Sequence, residues 1–521
     1  MTRFLVHSST VEMENRKFWR AIGYDFLFKS THEPEGQYLL DRGEKHGTIK
    51  YLRSHFTFDN HAPWADSKVG GNVCGRVMII GKDGAVAYDF SHVNETFMEY
   101  VKRGMKPIVE FDFFPDGMCY SEEDVANDED FVAAAGMIKD WNLWTDLLSR
   151  FMQNLEDVFG KDELRSWYFE VWNEPDGMKG AVLKQFYRMY DVFAHVVKSF
   201  DEGYRVGGPA CYKLGVMKDF LDHVTEGTNH VTGAIGSPID FVSFHIYGLS
   251  GGWLKHGPQI LPQVSRFSGD MLWWQRLMKS YPALTHVEIH LNEWGLCSHG
   301  DSKFVAEFPQ LEYRNSEYSA LFMIKLVDCL KTIEKNYDFA TDLMLFWGSS
   351  FNALFPRMFM GSRDLTTTGN VPKPIFTGWE MLTRLGAQFL MVDGPMAGGR
   401  HGLLACRNDD GGIQLLAYNF NEIDDELERE DDFGIVLDQL MDGTTYNVNI
   451  IRLDQTHHNT YREWQRISGE PDPGQDVIDK LMETAELTHD ETTACTVVNT
   501  QLTLSLRIPR HGMALLELAV R

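Results

Sequence analysis

Two short stretches carry residue types suited to acid–base and nucleophilic chemistry. Phe169-Glu170-Val171-Trp172-Asn173-Glu174-Pro175-Asp176 ends one apolar run, and Ile289-His290-Leu291-Asn292-Glu293-Trp294-Gly295 ends another. Each delivers a glutamate, Glu174 or Glu293, where an extended run gives way to a loop. Two carboxyls about 5–5.5 Å apart can cleave an acetal: the protonated one assists the leaving oxygen, and the ionised one attacks the anomeric carbon. Their closeness resists double ionisation, which raises one pKa and supplies the acid. Asn173 stands where it can donate to a sugar 2-hydroxyl, a bond that strengthens in the transition state. Pro175 fixes φ at the start of the loop. An isolated Asn-Glu-Pro is an ordinary turn. Its place at a Trp-rich strand end, matched by Glu-Trp at a second, is what points to catalysis.

Such a pair needs a frame that brings distant strand ends together. Eight apolar, β-rich runs recur at Phe18–Tyr24, Thr48–His55, Pro107–Phe114, Trp167–Trp172, Arg205–Pro209, Asp240–Tyr247, His286–Asn292 and Leu343–Gly348. Ile239 to Phe244 and Leu343 to Trp347 are nearly continuous in apolar residues, as strands buried on both faces are. Between the runs the periodicity is helical: Leu183, Phe186, Tyr190 and Phe193 share one face, and Ser316 to Ile333 repeats the pattern. This alternation predicts an α/β fold, a (β/α)8 barrel over 15–372, with the two glutamates at the carboxyl ends of strands four and seven. No G-x-G-x-x-G follows the first strand, which weighs against a dinucleotide fold.

Past Lys373 the rhythm changes. Tyr446–Ile450, Leu502–Ile508 and Met513–Val520 alternate with period two, the mark of antiparallel strands with one wet face. An accessory β-sandwich is expected over 373–521, joined by residues 1–14. The acidic run Glu422–Asp432 reads as a solvated loop, and Asp454–Met482 as helical or irregular.

Composition narrows the partners. With 49 Lys+Arg against 75 Asp+Glu in 521 residues, the net charge of −26 argues against nucleic acid and anionic lipid surfaces. Aromatics at 13%, including 13 Trp, suit sites for flat, partly apolar ligands such as sugars. The 7 cysteines are scattered without a CxxC pair, so neither a disulfide framework nor a zinc site is expected. The N-terminus shows no basic segment followed by an apolar core, and no apolar run is long enough to span a bilayer, so a cytoplasmic protein is expected.

Further motifs flank the two glutamates: Phe18-Trp19-Arg20-Ala21-Ile22-Gly23, Tyr51-Leu52-Arg53-Ser54-His55, Glu110-Phe111-Asp112-Phe113-Phe114-Pro115 and Ser243-Phe244-His245-Ile246-Tyr247. Asp454-Gln455-Thr456-His457-His458-Asn459 follows, with Trp464. Together with Trp172-Asn173-Glu174-Pro175 they resemble glycoside hydrolase clan A, and specifically family 39, the family of β-xylosidases and α-L-iduronidases. The resemblance implies a retaining exo-glycosidase that needs no metal or cofactor and acts on short xylo-oligosaccharides or aryl glycosides. It implies Glu174 as acid/base and Glu293 as nucleophile. His55, Asn173, His245 and Tyr247 would hold the glycone, Tyr247 also touching the nucleophile, while Phe114 and Trp347 would form apolar walls. The competing reading makes Phe114 and Trp347 barrel filler and the histidines structural.

Two departures from the family pattern bear on the glycone. No acidic residue follows Trp347 in Gly348-Ser349-Ser350-Phe351-Asn352-Ala353-Leu354, and a glycine-rich stretch is reduced to Met358-Phe359-Met360-Gly361-Ser362-Arg363-Asp364-Leu365. Asn352 and Asp364 are the candidate stand-ins. Tyr247 occupies the place of a uronate-binding Lys in the iduronidase branch, so neutral pentosides are expected, β-xylosides first and α-L-arabinosides second. Arg363 keeps an iduronidase-like reading open. A sugar-binding pseudoenzyme would need neither glutamate. A metal-dependent or Schiff-base barrel lacks a strand-end Lys, and His457-His458 reads as an exposed loop pair outside the barrel.

Overall fold

The computed structural model describes the chain except for residues 25–26, 59–76, 122–135, 179, 250–260, 299–312, 349–357, 360–362, 397 and 423–429. The first strand, β1 (Thr2–Glu14), joins a sheet built mainly from the C-terminal part. Then come β2 (Ala21–Tyr24), β3 (Tyr51–Ser54), a hairpin of β4 (Met78–Ile80) and β5 (Val86–Tyr88), and β6 (Lys106–Phe111). They are followed by β7 (Tyr168–Val171), β8 (Arg205–Cys211), β9 (Phe241–Tyr247), β10 (Glu288–Gly295) and β11 (Leu343–Trp347). Strands β2, β3 and β6 to β11 pair in parallel and close into a barrel, with β11 returning to β2. All eight apolar runs supply barrel strands.

Successive side chains on a strand point to opposite faces. Phe169 and Val171 therefore join the large core under the helices, while Tyr168 faces inward with Ala21, Ile108, Phe241, Leu343 and Leu345. The next inward positions toward the carboxyl ends are polar: Arg53 on β3, Glu110 on β6, Glu170 on β7 and Ser243 on β9, all essentially inaccessible. The barrel has an apolar floor and a charged upper layer. Amphipathic helices cover its outside. In Trp141–Phe159 the buried stripe is Trp144, Leu147, Leu148, Phe151, Met152 and Leu155, and Asp140 caps the helix by accepting from the Asn142 N–H.

Two residues of β12 (Thr366–Thr367) pair with β13 (Val371–Pro372) before the accessory strands begin. These are β14 (Gln388–Asp393), β15 (His401–Arg407), β16 (Ile413–Asn419), β17 (Glu430–Asp438), β18 (Thr445–Leu453), β19 (Glu491–Thr496), β20 (Leu502–Pro509) and β21 (Gly512–Val520). With β1 they form one nine-stranded sheet in the order β19-β18-β21-β16-β15-β14-β1-β17-β20. Pairing is antiparallel except between β1 and β17. Phe4, Leu415, Ile435, Val448, Leu504 and Leu516, from strands far apart in that order, share one core, so the sheet curls over itself as a sandwich does.

The single wet face expected of these strands holds for β20, which alternates buried and exposed residues. It does not hold for β21, buried from Gly512 to Leu516. There Leu516 and Leu518 enter the sheet's own core, while Met513 and Leu515 pack with the barrel core. The helix Glu317–Tyr337 lies between barrel and sheet and is buried almost all round, with Asp328 accepting from the Tyr418 hydroxyl at 2.8 Å. The acidic run departs from a solvated loop at both ends. Glu422 pairs with Lys325 at 2.6 Å, and residues from Glu430 onward are strand; the run's middle lies outside the described residues. Asp454–Met482 contains the helices Thr460–Ile467 and Gln475–Ala485.

Candidate active site

Arg53 organises the upper layer of the barrel. Burying a guanidinium is costly unless carboxylates surround it, and here they do. Nε donates to Glu170 Oε2 at 2.9 Å, Nη1 to Glu293 Oε1 at 2.9 Å and Nη2 to Asn173 Oδ1 at 3.0 Å. Nη2 also lies 2.5 Å from Glu110 Oε1, and the Trp347 ring covers the guanidinium at 5.3 Å. Burial alone would lower its pKa, but the charges of Glu110, Glu170 and Glu293 raise it far above the ordinary value. The charge at this position is permanent.

Glu293 stands near the carboxyl end of β10 with its side chain 5% exposed. Its second oxygen accepts from the Tyr247 hydroxyl at 2.8 Å and lies 3.4 Å from His245 Nδ1. Burial, then the Glu293 charge, pushes the Tyr247 phenol well up, so it stays a donor. Glu174 follows β7 with a left-handed backbone (φ 47°), its N–H held by the Ala210 carbonyl at 3.0 Å. Its side chain is 37% exposed, and Oε1 meets His245 Nδ1 at 2.9 Å. Desolvation raises the Glu174 pKa, against smaller opposing effects of His55, Arg53, Arg363 and Lys213. Donor atoms of Glu174, His245 and Glu293 all lie within 4.8 Å of one another.

Burial lowers His245 to about 4, so the ring between the two carboxylates is neutral near pH 7. Nδ1, which faces both, is where its one proton serves them. His55 is opposite in character. Burial works against its charge, but Glu110, 2.9 Å from Nδ1, and Asp112, at 3.6 Å, outweigh it and raise the pKa well above the usual histidine value. Its Nε2 lies 3.9 Å from Glu293 Oε1.

Of the residues singled out in the sequence, His55, Asn173, Glu174, His245, Tyr247, Glu293 and Trp347 converge. The Trp347 ring stands 4.5 Å from that of His55, in space opened by Gly23: a Cβ there would lie 2.3 Å from the indole. Phe114 sits behind them, its ring against Trp172 at 4.6 Å and Trp144 at 5.5 Å, while Phe113 meets His55 at 5.7 Å. Asp364 is engaged by Lys373 at 3.4 Å, and Asn352 lies outside the described residues. His457 and His458 are not a matched exposed pair: His458 is buried, its Nε2 accepting from the Thr488 N–H at 3.1 Å.

Sequence reading left Arg53, Glu110, Glu170, Ser243 and Asn292 without roles. The available signal was a charge at an inward position of an otherwise apolar strand, which demands a partner across the barrel. As for metals, the described residues offer two clusters here, Glu174-His245-Glu293 and His55-Glu110-Asp112, both already tied into the Arg53 network. A third, Asp191-His223-His230, lies elsewhere, its carboxylate accepting from both rings and from the His230 N–H. No helix among the described residues is long and apolar enough to cross a membrane.

A closed parallel barrel with paired glutamates at the carboxyl ends of its fourth and seventh strands is the frame of a glycoside hydrolase. A family model agrees: residues 4–501 match glycosyl hydrolases family 39, and the chain belongs to that family. It is similar to a β-xylosidase of Caldicellulosiruptor saccharolyticus, 22% identical over 95% of this chain and 94% of the relative. A monomeric β-xylosidase from Caulobacter crescentus shares the fold at TM-score 0.75, with 20% identity over 99% of each chain. A bacterial orthologue of human α-L-iduronidase shares it at TM-score 0.77, with 18% identity over 99% of this chain and 84% of that one.

Proposed function

We propose that this glycoside hydrolase is a retaining exo-glycosidase, in the first place a β-xylosidase that releases xylose from the non-reducing end of short xylo-oligosaccharides. The observation that carries the reading is the Glu174–Glu293 pair, with oxygens within 4.8 Å. Inverting enzymes hold their carboxyls about 6.5–9.5 Å apart to admit a water between them. Glu293 attacks the anomeric carbon while protonated Glu174 gives its proton to the departing oxygen, leaving the glycone esterified to Glu293. Glu174, now ionised, takes a proton from the water that attacks the same carbon, and Glu293 departs. Arg53 and Tyr247 each hold one oxygen of the nucleophile. The Asn173 oxygen is held by Arg53, which leaves its NH2 for the sugar 2-hydroxyl. His55 and His245 complete the glycone site, with Trp347, backed by Phe114, as its apolar wall.

Neutral Tyr247 on the sixth strand and the β-xylosidase relatives favour an uncharged pentose, with α-L-arabinosides next. One observation supports a second reading, an iduronidase-like uronidase: the positive charge of Arg363 acts on both Glu174 and Tyr247. The same reading divides the chain into a catalytic barrel over 15–372 and an accessory sheet over 373–521 with 1–14, and places it in the cytoplasm.

A panel of nitrophenyl β-xyloside, α-L-arabinosides and hexosides with a 4-methylumbelliferyl α-L-iduronide tests the glycone. Fastest turnover of the xyloside is expected, and preference for the iduronide selects the second reading. Glu293→Ala should abolish turnover, with azide restoring an inverted product. Binding of the sugars with no turnover of any by the unaltered protein would make it a sugar-binding pseudoenzyme.

A further inference from the structure

We propose that Glu170 is the common positioning residue of both catalytic carboxylates; this rests on the roles given above to Glu174 and Glu293. Glu170 touches neither, and no substrate atom can reach it at 0% exposure. Yet every group that does touch it leads to one of them.

One arm runs to the nucleophile. Arg53 gives its Nε to Glu170 Oε2 at 2.9 Å and its Nη1 to Glu293 Oε1 at 2.9 Å. A guanidinium is planar and rigid, so fixing Nε fixes where Nη1 points. Asn292 gives its amide to both Glu170 oxygens, at 3.0 and 3.1 Å, and is joined through the backbone to Glu293. The other arm runs to the acid/base. Ser243 donates its hydroxyl to Glu170 Oε1 and accepts from the Ala210 N–H at 3.0 Å. Ala210, held at φ 52°, turns its carbonyl to the Glu174 N–H at 3.0 Å. Ala210 is thus pinned at both polar atoms, one end to Glu170 through Ser243 and the other to Glu174.

A carboxylate suits this place because it only accepts, and Arg53, Asn292 and Ser243 all donate. Glutamine has nearly the same shape but turns an NH2 against one of the three donors. Misplacing a reacting group by about 1 Å can cost about a hundredfold in rate.

The test compares Glu170→Gln, Asn292→Ala and Ser243→Ala with the unaltered enzyme on a dinitrophenyl and an alkyl glycoside of the preferred sugar. Formation of the glycosyl-enzyme, which kcat/KM reports, needs no proton from Glu174 with the first substrate and does with the second. The ratio of the two rates is independent of how much protein has folded. Ser243→Ala should lose about tenfold more on the alkyl than on the dinitrophenyl glycoside. Asn292→Ala should lose equally on both. Glu170→Gln should fall on both, with kcat rather than KM taking the loss, and more on the alkyl glycoside. Glu170→Asp, which keeps the charge, should recover part of it. A Glu170→Gln enzyme with unaltered kcat overturns the proposal, as does a drop in KM terms alone or an unchanged rate ratio in Ser243→Ala. Failure of the underlying roles is distinguishable: Glu293→Ala would then retain turnover.

Discussion

The Nη1 atom of Arg53 lies 2.9 Å from Oε1 of Glu293, so the carboxylate proposed as nucleophile takes its position from a cation wholly inside the barrel. Three acceptors share that guanidinium, Asn173, Glu170 and Glu293, and Glu110 forms an ion pair with it. Lysine would keep the charge and lose the fork. We expect Arg53→Lys to lower kcat/KM by about 10²–10³, comparable to removing a preorganised donor from a reacting charge. Steady-state kinetics on an aryl glycoside check this, and a loss below threefold would contradict it.

The pH profile should carry the raised pKa of Glu174. In the proposed role of acid Glu174 must be protonated, so kcat/KM should fall as pH rises through its value in the folded enzyme, above the ordinary glutamate value of about 4.3. The stability sign is the reverse of a salt-bridged carboxylate. Between the unfolded and folded pKa values the native state holds the extra proton, so stability falls as pH rises through that window. Glu174→Gln should therefore remove the basic limb and unfold at a higher temperature than the unaltered protein near pH 7–8. A basic limb that persists in Glu174→Gln on a dinitrophenyl glycoside would assign it to another group.

How much of this was legible in the sequence depends on whether partners are local. Phe169, Val171 and the run Leu343 to Phe346 declare buried strands because each of these residues joins an apolar core, whatever the identity of its neighbours. Glu174 and Glu293 declare themselves by standing at strand ends. Arg53, Glu110 and Glu170 do not, since each is explained by residues on other strands, 117 positions away in the pair Arg53–Glu170. The two buried faces of β21 are hidden for the same reason: Met513 and Leu515 pack toward the barrel helix Glu317–Tyr337, nearly two hundred residues earlier.

Gly23 tests the wall of the site. Its missing Cβ leaves room for Trp347, and a methyl there would fall 2.3 Å from the ring and 2.7 Å from Leu345. Gly23→Ala must displace the indole from His55 and Arg53. Overpacking of this kind costs about 1–3 kcal/mol. Urea denaturation should show that loss, and KM should rise as the wall shifts; a variant with native stability and KM would mean the ring is free to move.

The seam between barrel and accessory sheet is testable apart from catalysis. Glu317, 1% exposed, accepts from Arg462 at 2.9 and 3.0 Å and from Asn459 at 2.9 Å. Arg462→Ala leaves that carboxylate with Asn459 alone, a loss of about 1–3 kcal/mol. Equilibrium unfolding should report it, while kcat/KM of the folded variant stays unchanged.

The place of β1 has a consequence for the order in which the molecule is made. Thr2–Glu14 is made before either strand it pairs with, yet it lies inside the accessory sheet, between β14 and β17. Its partners begin at Gln388 and Glu430. β1 therefore waits unpaired while the barrel segment is made behind it. The sheet then closes on β1 from both sides, first with β14 and then with β17.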